Sequence, residues 1–600
     1  MTNRRPFFVS LIVVMFLVFV GRLVQLQVLY QDVYGKKSEE NSIRPIAREP
    51  IRGYIYDRHG ALVVDNRPSY TLTITPAEFK NDNIGYLATI LQLDPDFIKE
   101  RIRKGRLYNR FAPVKIKRDI DFQTLSTVEE NRSKLPGIDY QIESKRFYPA
   151  KARATHLFGY TKEVSDQQVS EKPNEYRPGD IIGAAGLEAR YEPYLRGQKG
   201  YEFITVNARG EMLGSYNDRK NDVPVREGND LYLALDADLQ AFAESLLIGR
   251  TGAVVAIDPD DGGVLALASA PDYDLTLFGS GTSYDEWTQL NTDPKRPLFN
   301  RATLTRYPPG STFKMVLAAA ALQEGVITPS WAINCPGVFH FGTKAFKDHV
   351  AHGPTNIIQS IQRSCNVYYY QLMLKTGIER WTQYSSEFGF GSPTGIDIGE
   401  ENPGLLPSEE YFDRVYGQGR WTQGYLVSLA IGQGELGVSP LQMGCYAATL
   451  GMRGVSHAPH VVQRIRDKAT GQVLDVQTES RTVELSDQVW DILQEGMKRC
   501  INGVGGTGAA AKVQGITVAG KTGTAQNPHG KKDHAWFIGF APADHPKIAV
   551  CVLIENSGFG GTVAAPIAGL CIEKYLYGHL VRTGTQTPPP NAAPAESLND

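Results

Sequence analysis

An apolar segment at the amino terminus constrains this chain more than any other feature, because it decides the compartment in which the rest of the chain folds. The apolar run covers residues 7–20 and resumes over residues 23–29. A helix that crosses a bilayer needs about 20 apolar residues. We therefore predict an uncleaved transmembrane anchor over 7–29, with Arg22 snorkelling to the interface.

A cleaved signal peptide is the alternative interpretation of this segment. Signal peptides end in small residues with an A-x-A pattern, whereas Gly-Arg-Leu-Val-Gln-Leu follows the apolar run here. The positive-inside rule places Arg4 and Arg5 in the cytoplasm. We expect a single-pass protein of the cytoplasmic (inner) membrane with a cytoplasmic amino terminus and an extracytoplasmic main body.

Length and charge narrow the remaining possibilities. A chain of 600 residues exceeds one ordinary domain. The formal net charge of −2 gives no indication of a nucleic-acid partner. A chain of this size buries enough apolar surface that its six cysteines are not needed as a disulfide framework.

The pattern of short and long apolar runs divides the main body. Short strand-like runs separated by Gly, Pro and charged residues extend over about 42–230, which is typical of an extended α+β module. A strand hairpin follows over 252–268, and a Pro- and Ala-rich tail ends the chain. We predict four segments: a cytoplasmic tip with the anchor, an α+β domain, a second globular domain and a disordered tail, at 1–30, 31–235, 236–582 and 583–600.

The second domain is expected to contain one sheet built from both of its ends, with helices packed against it. The strands over 252–257 and 264–268 come first, and further strands are predicted over 516–519, 535–541 and 548–554. The predicted helices lie at 312–324, 357–363, 367–375, 441–451, 487–498 and 565–577.

The first chemical motif is Ser-x-x-Lys at Ser311 and Lys314, where an apolar helix begins. Residues three apart share a helix face, so the Lys314 amine is expected to reach the Ser311 hydroxyl. A serine becomes a nucleophile when a neighbouring base takes its proton, and burial or a second cation lowers the pKa of a lysine enough for that task. Alone, the pattern is more often an N-cap serine and a surface lysine.

Two further motifs favour the catalytic interpretation of Ser311 and Lys314 over the purely structural one. Ser364-Cys365-Asn366 lies between two helical stretches, and Lys521-Thr522-Gly523-Thr524 follows a predicted strand. Each is more often an ordinary polar turn when taken alone. Their occurrence in the order Ser-x-x-Lys, Ser-x-Asn, Lys-Thr-Gly is the set shared by penicillin-binding proteins and serine β-lactamases.

A nucleotide site is rejected. Residues 515–522 match the P-loop pattern G-x-x-x-x-G-K-[ST]. A P-loop needs a strand before its first glycine and a helix after Lys-Thr, whereas the predicted strand here lies between the two glycines.

The chain resembles the class B penicillin-binding proteins, and among them the penicillin-binding protein 2 group that cross-links peptidoglycan during elongation. The resemblance rests on the three motifs and on further stretches along nearly the whole chain after the anchor. These stretches are Arg52-Gly53, Asp57-Arg58-His59-Gly60, Gly183, Gly186-Leu187-Glu188, Tyr191, Leu195, Gly197, Ala256-Ile257-Asp258-Pro259, Ile431-Gly432-Gln433-Gly434 and Ala535-Trp536-Phe537.

The resemblance implies an elongated α+β pedestal, or dimerisation domain, at 31–235. It implies an αβα, β-lactamase-like transpeptidase domain at 236–582, with an antiparallel sheet flanked by helices and facing the periplasm. The expected activity is that of a serine-type D-Ala-D-Ala transpeptidase, which cross-links stem peptides through an acyl-enzyme and is inhibited covalently by β-lactams.

The resemblance also implies a role for each motif residue. Ser311 is the nucleophile, Lys314 the expected base, Ser364 a proton shuttle aided by Lys521, and Asn366 a holder of the substrate amide. Thr522 and Thr524 bind the terminal carboxylate, and Gly523 allows close backbone approach. The backbone N–H groups of Ser311 and Thr524 form the oxyanion hole. Which lysine is the base in each step stays open.

The alternatives are a division-specific paralogue and, from another class, a β-lactam-binding sensor or scaffold. Intact motifs disfavour a dead scaffold. The anchor and pedestal disfavour a β-lactamase, and the lack of an upstream glycosyltransferase segment disfavours a bifunctional class A enzyme. Family resemblance also implies a RodA-type glycan polymerase and an MreC-type protein as partners.

A separate group of residues has metal-ligand chemistry. Cys335, Asp348, His352 and Cys365 are spaced C-x12-D-x3-H-x12-C, and these side chains suit tetrahedral Zn²⁺. The stretch resembles a zinc-binding segment of some penicillin-binding protein 2 members but departs by two residues before the histidine, which leaves His349 as a substitute ligand. A Cys335–Cys365 disulfide and two free structural cysteines are the alternatives.

Overall fold

The computed structural model describes residues 5–29, 42–207, 212–278, 284–527 and 530–582. Within these residues the chain forms an apolar amino-terminal helix, a mixed α+β portion, and a portion in which helices cover an antiparallel sheet. The fold class predicted from the sequence is confirmed. Residues 1–4 and 30 of the predicted tip and anchor segment at 1–30, and the predicted tail at 583–600, lie outside the described residues.

The amino-terminal helix occupies Arg5–Val24 and continues as a π-helical turn over Gln25–Leu29. Its segment Pro6–Val28 has 23 residues and a mean hydropathy of 2.7, and none of it is buried by the rest of the chain. In the described part of the chain, this is the one helix long and apolar enough to cross a bilayer. It is therefore the candidate single-pass anchor.

The α+β portion contains short elements joined by turns. Its strands are Ile43–Arg48, Ile55–Tyr56, Leu62–Ile74, Val114–Ile120, Ile138–Phe147, Thr161–Glu163, Ile181–Gly183, Gly200–Val206, Met212–Ser215 and Asp230–Leu233. Its α-helices are Ile84–Leu91, Pro95–Asn109, Phe122–Glu130, Thr155–Phe158, Asp166–Glu171, Gly186–Arg190 and Glu192–Leu195. Asp94 caps the second of these helices, because its side chain accepts from the Asp96 N–H.

Buried ion pairs hold this portion together around residues of the family-like stretches. The Arg52 guanidinium lies 2.5 Å from Glu188 and 2.7 Å from Glu192, and Arg146 lies 2.7 Å from Glu188. Removing one partner of such a pair leaves a buried charge uncompensated, which costs about 3–5 kcal/mol. The resemblance noted at Arg52 and Glu188 therefore has a structural basis.

Several polar contacts join the α+β portion to the second portion. Arg58 lies 3.3 Å from Asp258, and the Tyr191 hydroxyl donates to Asp397 at 2.6 Å. The strand Asp230–Leu233 also pairs with Ile55–Tyr56 on one side and Val462–Arg466 on the other. One sheet thus continues from the first portion into the second.

The second portion has the strands of its main sheet at both ends, with shorter strands and most of its helices between them. The strands are Gly252–Ile257, Val264–Ala270, Ala332–Cys335, Val338–Phe341, Lys344–Lys347, Gly353–Asn356, Val455–His457, Val462–Arg466, Val473–Asp475, Ser480–Thr482, Ala519–Ala525, His534–Ala541 and Ile548–Ile554. The α-helices are Ala237–Leu246, Tyr284–Thr292, Lys314–Gln323, Ile357–Arg363, Asn366–Thr376, Ile378–Glu387, Glu409–Tyr416, Gly424–Leu429, Pro440–Gly451, Asp487–Asn502 and Gly560–Tyr577.

The main sheet is antiparallel, five-stranded and assembled from both ends of this portion, as predicted. Its order is Val264–Ala270, Gly252–Ile257, Ile548–Ile554, His534–Ala541 and Ala519–Ala525. Side chains alternate along each strand, and both faces are apolar. Ala253 and Val255 join a core with helix Lys314–Gln323, whereas Val254 and Ala256 join one with helix Gly560–Tyr577. Helices therefore cover both faces.

Two local predictions were wrong in position. The helix predicted over 312–324 begins with a 3₁₀ turn at Gly310–Phe313 and is α-helical over Lys314–Gln323. The strand predicted over 516–519 runs over Ala519–Ala525, so the Lys-Thr-Gly motif lies on the strand and not after it. Pairing with a buried neighbouring strand overrides the low strand propensity of Gly and Lys. Because Lys521 lies on a strand and does not begin a helix, the rejection of a P-loop is confirmed.

Candidate active site

Ser311 lies in the 3₁₀ turn that precedes helix Lys314–Gln323, beside the edge strand of the main sheet. Gly310 has a φ of +59°, and a Cβ there would lie 2.6 Å from the Thr524 carbonyl oxygen. Only glycine fits this position without strain. The turn therefore packs closely against the strand that carries the Lys-Thr-Gly motif and places Ser311 beside it.

Gly523 serves the same close approach from the other side. A Cβ at this position would lie 2.6 Å from the Pro309 carbonyl oxygen and 2.9 Å from the Thr312 side chain. The predicted close backbone approach at Gly523 is thus made by the serine turn of this chain. Substitution here would push Ser311 away from the strand.

Lys314 is fully buried, and its amine contacts the second motif. Its Nζ lies 2.8 Å from the Ser364 carbonyl oxygen, 3.3 Å from Ser364 Oγ and 2.7 Å from Asn366 Oδ1. The expected hydrogen bond to Ser311 is not formed among the described residues, where the Ser311 hydroxyl has no partner. Catalytic hydrogen bonds commonly tighten only when substrate binds.

Ser364 connects the two lysines. Its φ of +60° places it in the left-handed region between helices Ile357–Arg363 and Asn366–Thr376. Its hydroxyl accepts from Lys521 Nζ at 2.9 Å and lies 3.3 Å from Lys314 Nζ. Such backbone strain is characteristic of functional positions. The three motifs thus converge on one hydroxyl.

Burial lowers the basicity of both lysines. Burial, with a contribution from the neighbouring charge of Lys521, lowers the pKa of Lys314 to about 7. Burial likewise lowers the pKa of Lys521. A lysine with a pKa near neutrality has a substantial neutral fraction and can accept a proton.

The motif strand Ala519–Ala525 is at the edge of the sheet. It pairs with His534–Ala541 on its inner side, and no described strand pairs with its outer side. Lys521 and Thr522 are buried, whereas Thr524 is half-buried. An unpaired edge of this kind can take up an extended peptide as an added strand.

Two residues that the sequence did not single out as site residues also contact this strand. Gln433 donates its side-chain N–H to the Thr524 carbonyl oxygen at 3.0 Å. The hydroxyl of Thr507 lies 2.6 Å from that of Thr522. Gln433 belongs to the Ile-Gly-Gln-Gly stretch already noted for its resemblance, which was a usable signal. Thr507 lies in a glycine-rich run, which gave no signal of a functional role.

The four predicted metal ligands lie together beside this site. Their donor atoms all lie within 4.8 Å of one another. Cys335 Sγ is 3.5 Å from Asp348 Oδ2 and 3.6 Å from His352 Nδ1, and the last two atoms are 3.5 Å apart. Bond lengths of about 2.0–2.3 Å to tetrahedral Zn²⁺ place ligand atoms roughly 3.3–3.8 Å apart. The donor set and its spacing therefore fit zinc.

The structure also bears on the alternatives for this group, which are a disulfide and a substitute ligand at His349. Cys335 and Cys365 are free and buried, not joined as a disulfide. His349 is outside the group; its ring contacts Phe559 with centroids 6.2 Å apart. The Asp348 carboxylate also accepts from the Val367 N–H at 3.1 Å. This group adjoins the second motif through Cys365 itself.

Together these groups can perform acyl transfer on serine. The site combines a hydroxyl at a helix start, a buried amine of lowered pKa, a hydroxyl held between two amines, and a strand edge with threonine hydroxyls. These are the roles of nucleophile, base, proton shuttle and substrate docking edge.

The chain is similar to known proteins along most of its length. Residues 252–573 match the family model for the penicillin binding protein transpeptidase domain, and residues 47–233 match that for the penicillin-binding protein dimerisation domain. The peptidoglycan D,D-transpeptidase MrdA of Acinetobacter baumannii is 35% identical over 94% of this chain and 86% of its own length. The MrdA protein of Escherichia coli K12 is 32% identical over 96% and 94%.

Solved structures are also similar. The penicillin-binding protein PBP2 of Helicobacter pylori, in its complex with MreC, superposes with a TM-score of 0.78, at 28% identity over 90% of this chain and 100% of that one. A chain of a peptidoglycan synthase complex that coordinates polymerization and crosslinking superposes with a TM-score of 0.71, at 29% identity over 97% and 99%.

Proposed function

This chain belongs to the penicillin-binding proteins, and on that premise we propose that Ser311 is its acylated nucleophile. The chain is a serine-type peptidoglycan D,D-transpeptidase, related to PBP2, which cross-links stem peptides during cell elongation and is inhibited covalently by β-lactams. One observation carries the assignment of residues: the Ser364 hydroxyl lies between Lys521 and Lys314, and Lys314 begins the helix that directly follows the serine turn. Covalent labelling of Ser311 by a penicillin tests it.

We propose that the two lysines act in turn during acylation, with Lys314 forming its hydrogen bond to the Ser311 hydroxyl when substrate binds. The Ser311 hydroxyl attacks the carbonyl carbon of the D-Ala-D-Ala bond, and its proton passes to neutral Lys314. The backbone N–H groups of Ser311 and Thr524 stabilise the developing oxyanion, which commonly contributes about 3–4 kcal/mol per donor. The leaving D-Ala amine takes a proton from Ser364, which is replenished by Lys521. An ester to Ser311 results.

The second step transfers the acyl group. The amine of a neighbouring stem peptide attacks the carbonyl carbon of the Ser311 ester and loses a proton through Ser364 to Lys521. The bond to Ser311 Oγ breaks, and this oxygen regains its proton from Lys314. Asn366 holds the donor amide, while Thr522 and Thr524 bind the terminal carboxylate before it leaves. The open edge of Ala519–Ala525 supports an extended stem peptide as an added strand.

The rate of acylation is expected to depend on pH through Lys314. The neutral amine is the reactive form, and its pKa is lowered to about 7. Acylation should therefore rise about tenfold per pH unit well below pH ~7 and level off above about 8. Stopped-flow acylation by benzylpenicillin from about pH 5.5 to about pH 9 measures this. A profile that stays flat from about pH 6 to about pH 8 would contradict the assignment of Lys314 as base.

We further propose that Cys335, Asp348, His352 and Cys365 bind one structural Zn²⁺. The distances among the donor atoms and the chemistry of two thiols, an imidazole and a carboxylate support this. The ion would crosslink the two segments that flank the hairpin at 338–347 to the Ser364-Cys365-Asn366 segment. No step of the reaction requires it.

Metal content tests this proposal. Protein produced in zinc-containing medium and purified without a metal-affinity tag should carry about one Zn²⁺ per chain by plasma mass spectrometry. Cys335→Ser should lose the metal, lower the melting temperature and reduce acylation. Cys445→Ala, at a buried cysteine outside the group, is the matched control and should retain the metal. Wild-type protein without stoichiometric zinc would sink the proposal.

The arrangement in the membrane and the partners are inferred from the anchor and the similar complexes. The helix Arg5–Val24 would cross the cytoplasmic membrane with its amino terminus inside, so that the catalytic portion faces the periplasm. Because an H. pylori PBP2 with this fold binds MreC, and a similar chain works in a peptidoglycan synthase complex, we propose an MreC-type partner and a RodA-type glycan polymerase.

A further inference from the structure

Thr507 forms the shortest side-chain contact of the motif strand. Its Oγ1 lies 2.6 Å from Thr522 Oγ1, and the Cys500 Sγ lies 3.3 Å from the same Thr507 oxygen. Cys500 is fully buried at the end of helix Asp487–Asn502. The three side chains thus form a continuous row from the protein interior to the motif strand.

Backbone contacts fix the loop that carries Thr507. The Gly508 N–H donates to the Cys500 carbonyl oxygen at 3.0 Å, which ties the loop to the helix end. The side chain of Gln362, two residues before the Ser-x-Asn motif, donates to the Val504 carbonyl oxygen at 2.7 Å. These contacts fix the position of Thr507 relative to the helix end and to the Ser-x-Asn motif.

The hydrogens in this row can be ordered in two ways. A threonine hydroxyl has one hydrogen to donate and two lone pairs to accept with. If Cys500 donates to Thr507 and Thr507 donates to Thr522, the Thr522 hydrogen is left for a ligand. In the reverse order, the Thr522 hydroxyl donates its hydrogen to Thr507. It then presents only lone pairs to the ligand, and these repel a carboxylate.

We propose that Thr507 is a positioning residue for the substrate carboxylate, acting through Thr522. With the carboxylate bound, the order is Cys500 to Thr507 to Thr522 to carboxylate, and each donation polarises the next hydroxyl. Thr507 makes Thr522 a directed donor and does not itself touch the substrate. This inference rests on the proposed role of Thr522 as a carboxylate ligand.

The test compares a ligand that has the carboxylate with one that lacks it. Acylation rate constants are measured for benzylpenicillin and for benzylpenicillin methyl ester on the full-length protein and on Thr507→Val, which keeps the shape and removes the hydroxyl. We expect acylation by benzylpenicillin to fall roughly 5- to 20-fold, in line with a lost charge-assisted bond, and acylation by the ester to change less than about twofold. Thr507→Ser should restore the wild-type ratio.

Further variants separate the possible outcomes. Thr562→Val, at an exposed threonine of the adjacent helix Gly560–Tyr577, is the matched control and should leave both rates unchanged. An equal fall for both ligands in Thr507→Val, or no fall for either, would overturn the relay. If Thr522→Val also fails to distinguish the two ligands, the carboxylate role of Thr522 is wrong; if only Thr522→Val distinguishes them, the relay alone fails. Melting temperatures identify variants that do not fold.

Discussion

Replacing Ser311 with alanine removes all covalent labelling by benzylpenicillin, which is the largest effect expected for any single substitution. In the proposed reaction the ester forms at Ser311 Oγ, which alanine lacks. Loss of the nucleophile in a serine enzyme lowers turnover by about six orders of magnitude. Intact-mass spectrometry of wild type should show one adduct per chain, and the variant none. Tryptic mapping of the wild-type adduct should locate it on Ser311.

The fold should survive this change, so that the loss can be assigned to chemistry. Ser311 is half-buried, and its hydroxyl has no partner among the described residues. Ser330→Ala, at an exposed serine in a turn, is the matched control and should label fully. An adduct that persists in Ser311→Ala would assign the nucleophile to another residue.

Replacing Lys314 with methionine should slow acylation by about 10²- to 10⁴-fold, the usual contribution of a general base. Methionine has a similar length and fills the buried site, but it cannot accept the Ser311 proton. Two acceptors, the Ser364 carbonyl oxygen and Asn366 Oδ1, lose their donor, so unfolding free energy should fall by about 1–3 kcal/mol for each group left unpaired. Stopped-flow acylation and thermal unfolding measure the two effects separately.

The pH profile of this variant adds an independent check. Without the amine, whose pKa is lowered to about 7, the rise in acylation near neutral pH should disappear along with the rate. Lys375→Met, at an exposed position of helix Asn366–Thr376, is the matched control and should retain both the rate and the profile. A Lys314→Met protein within about threefold of the wild-type rate would transfer the role of base to Lys521.

Short-range chemistry makes the motif residues recognisable in the sequence alone. Ser311 and Lys314 are three positions apart, and Ser364, Cys365 and Asn366 are consecutive, so residue type and short spacing carry the signal. The anchor and the buried strands are recognisable for the same reason, since hydropathy and periodicity are properties of neighbouring residues. The order of these elements predicts one sheet assembled from both ends of the second domain with helices against it, whereas the αβα arrangement was implied by the family resemblance.

Tertiary structure decides which of these residues touch. Helical spacing predicts that Lys314 meets Ser311 on one helix face, yet its amine contacts Ser364 and Asn366, 50 and 52 residues away. The Lys-Thr-Gly motif lies on a strand because the neighbouring strand pairs with it, a preference that the motif's own residues do not have.

The sequence by itself determined the family and the fold class and predicted the reacting groups, because these depend on residue types and local order. Only the tertiary structure decided that Ser364 lies between two lysines, that four donors meet at tetrahedral spacing, and that Thr507 reaches Thr522. The physical reason is that such contacts join residues far apart in the chain, up to 157 positions for Ser364 and Lys521. Their distances are set by the packing of helices against the sheet, which no local pattern encodes.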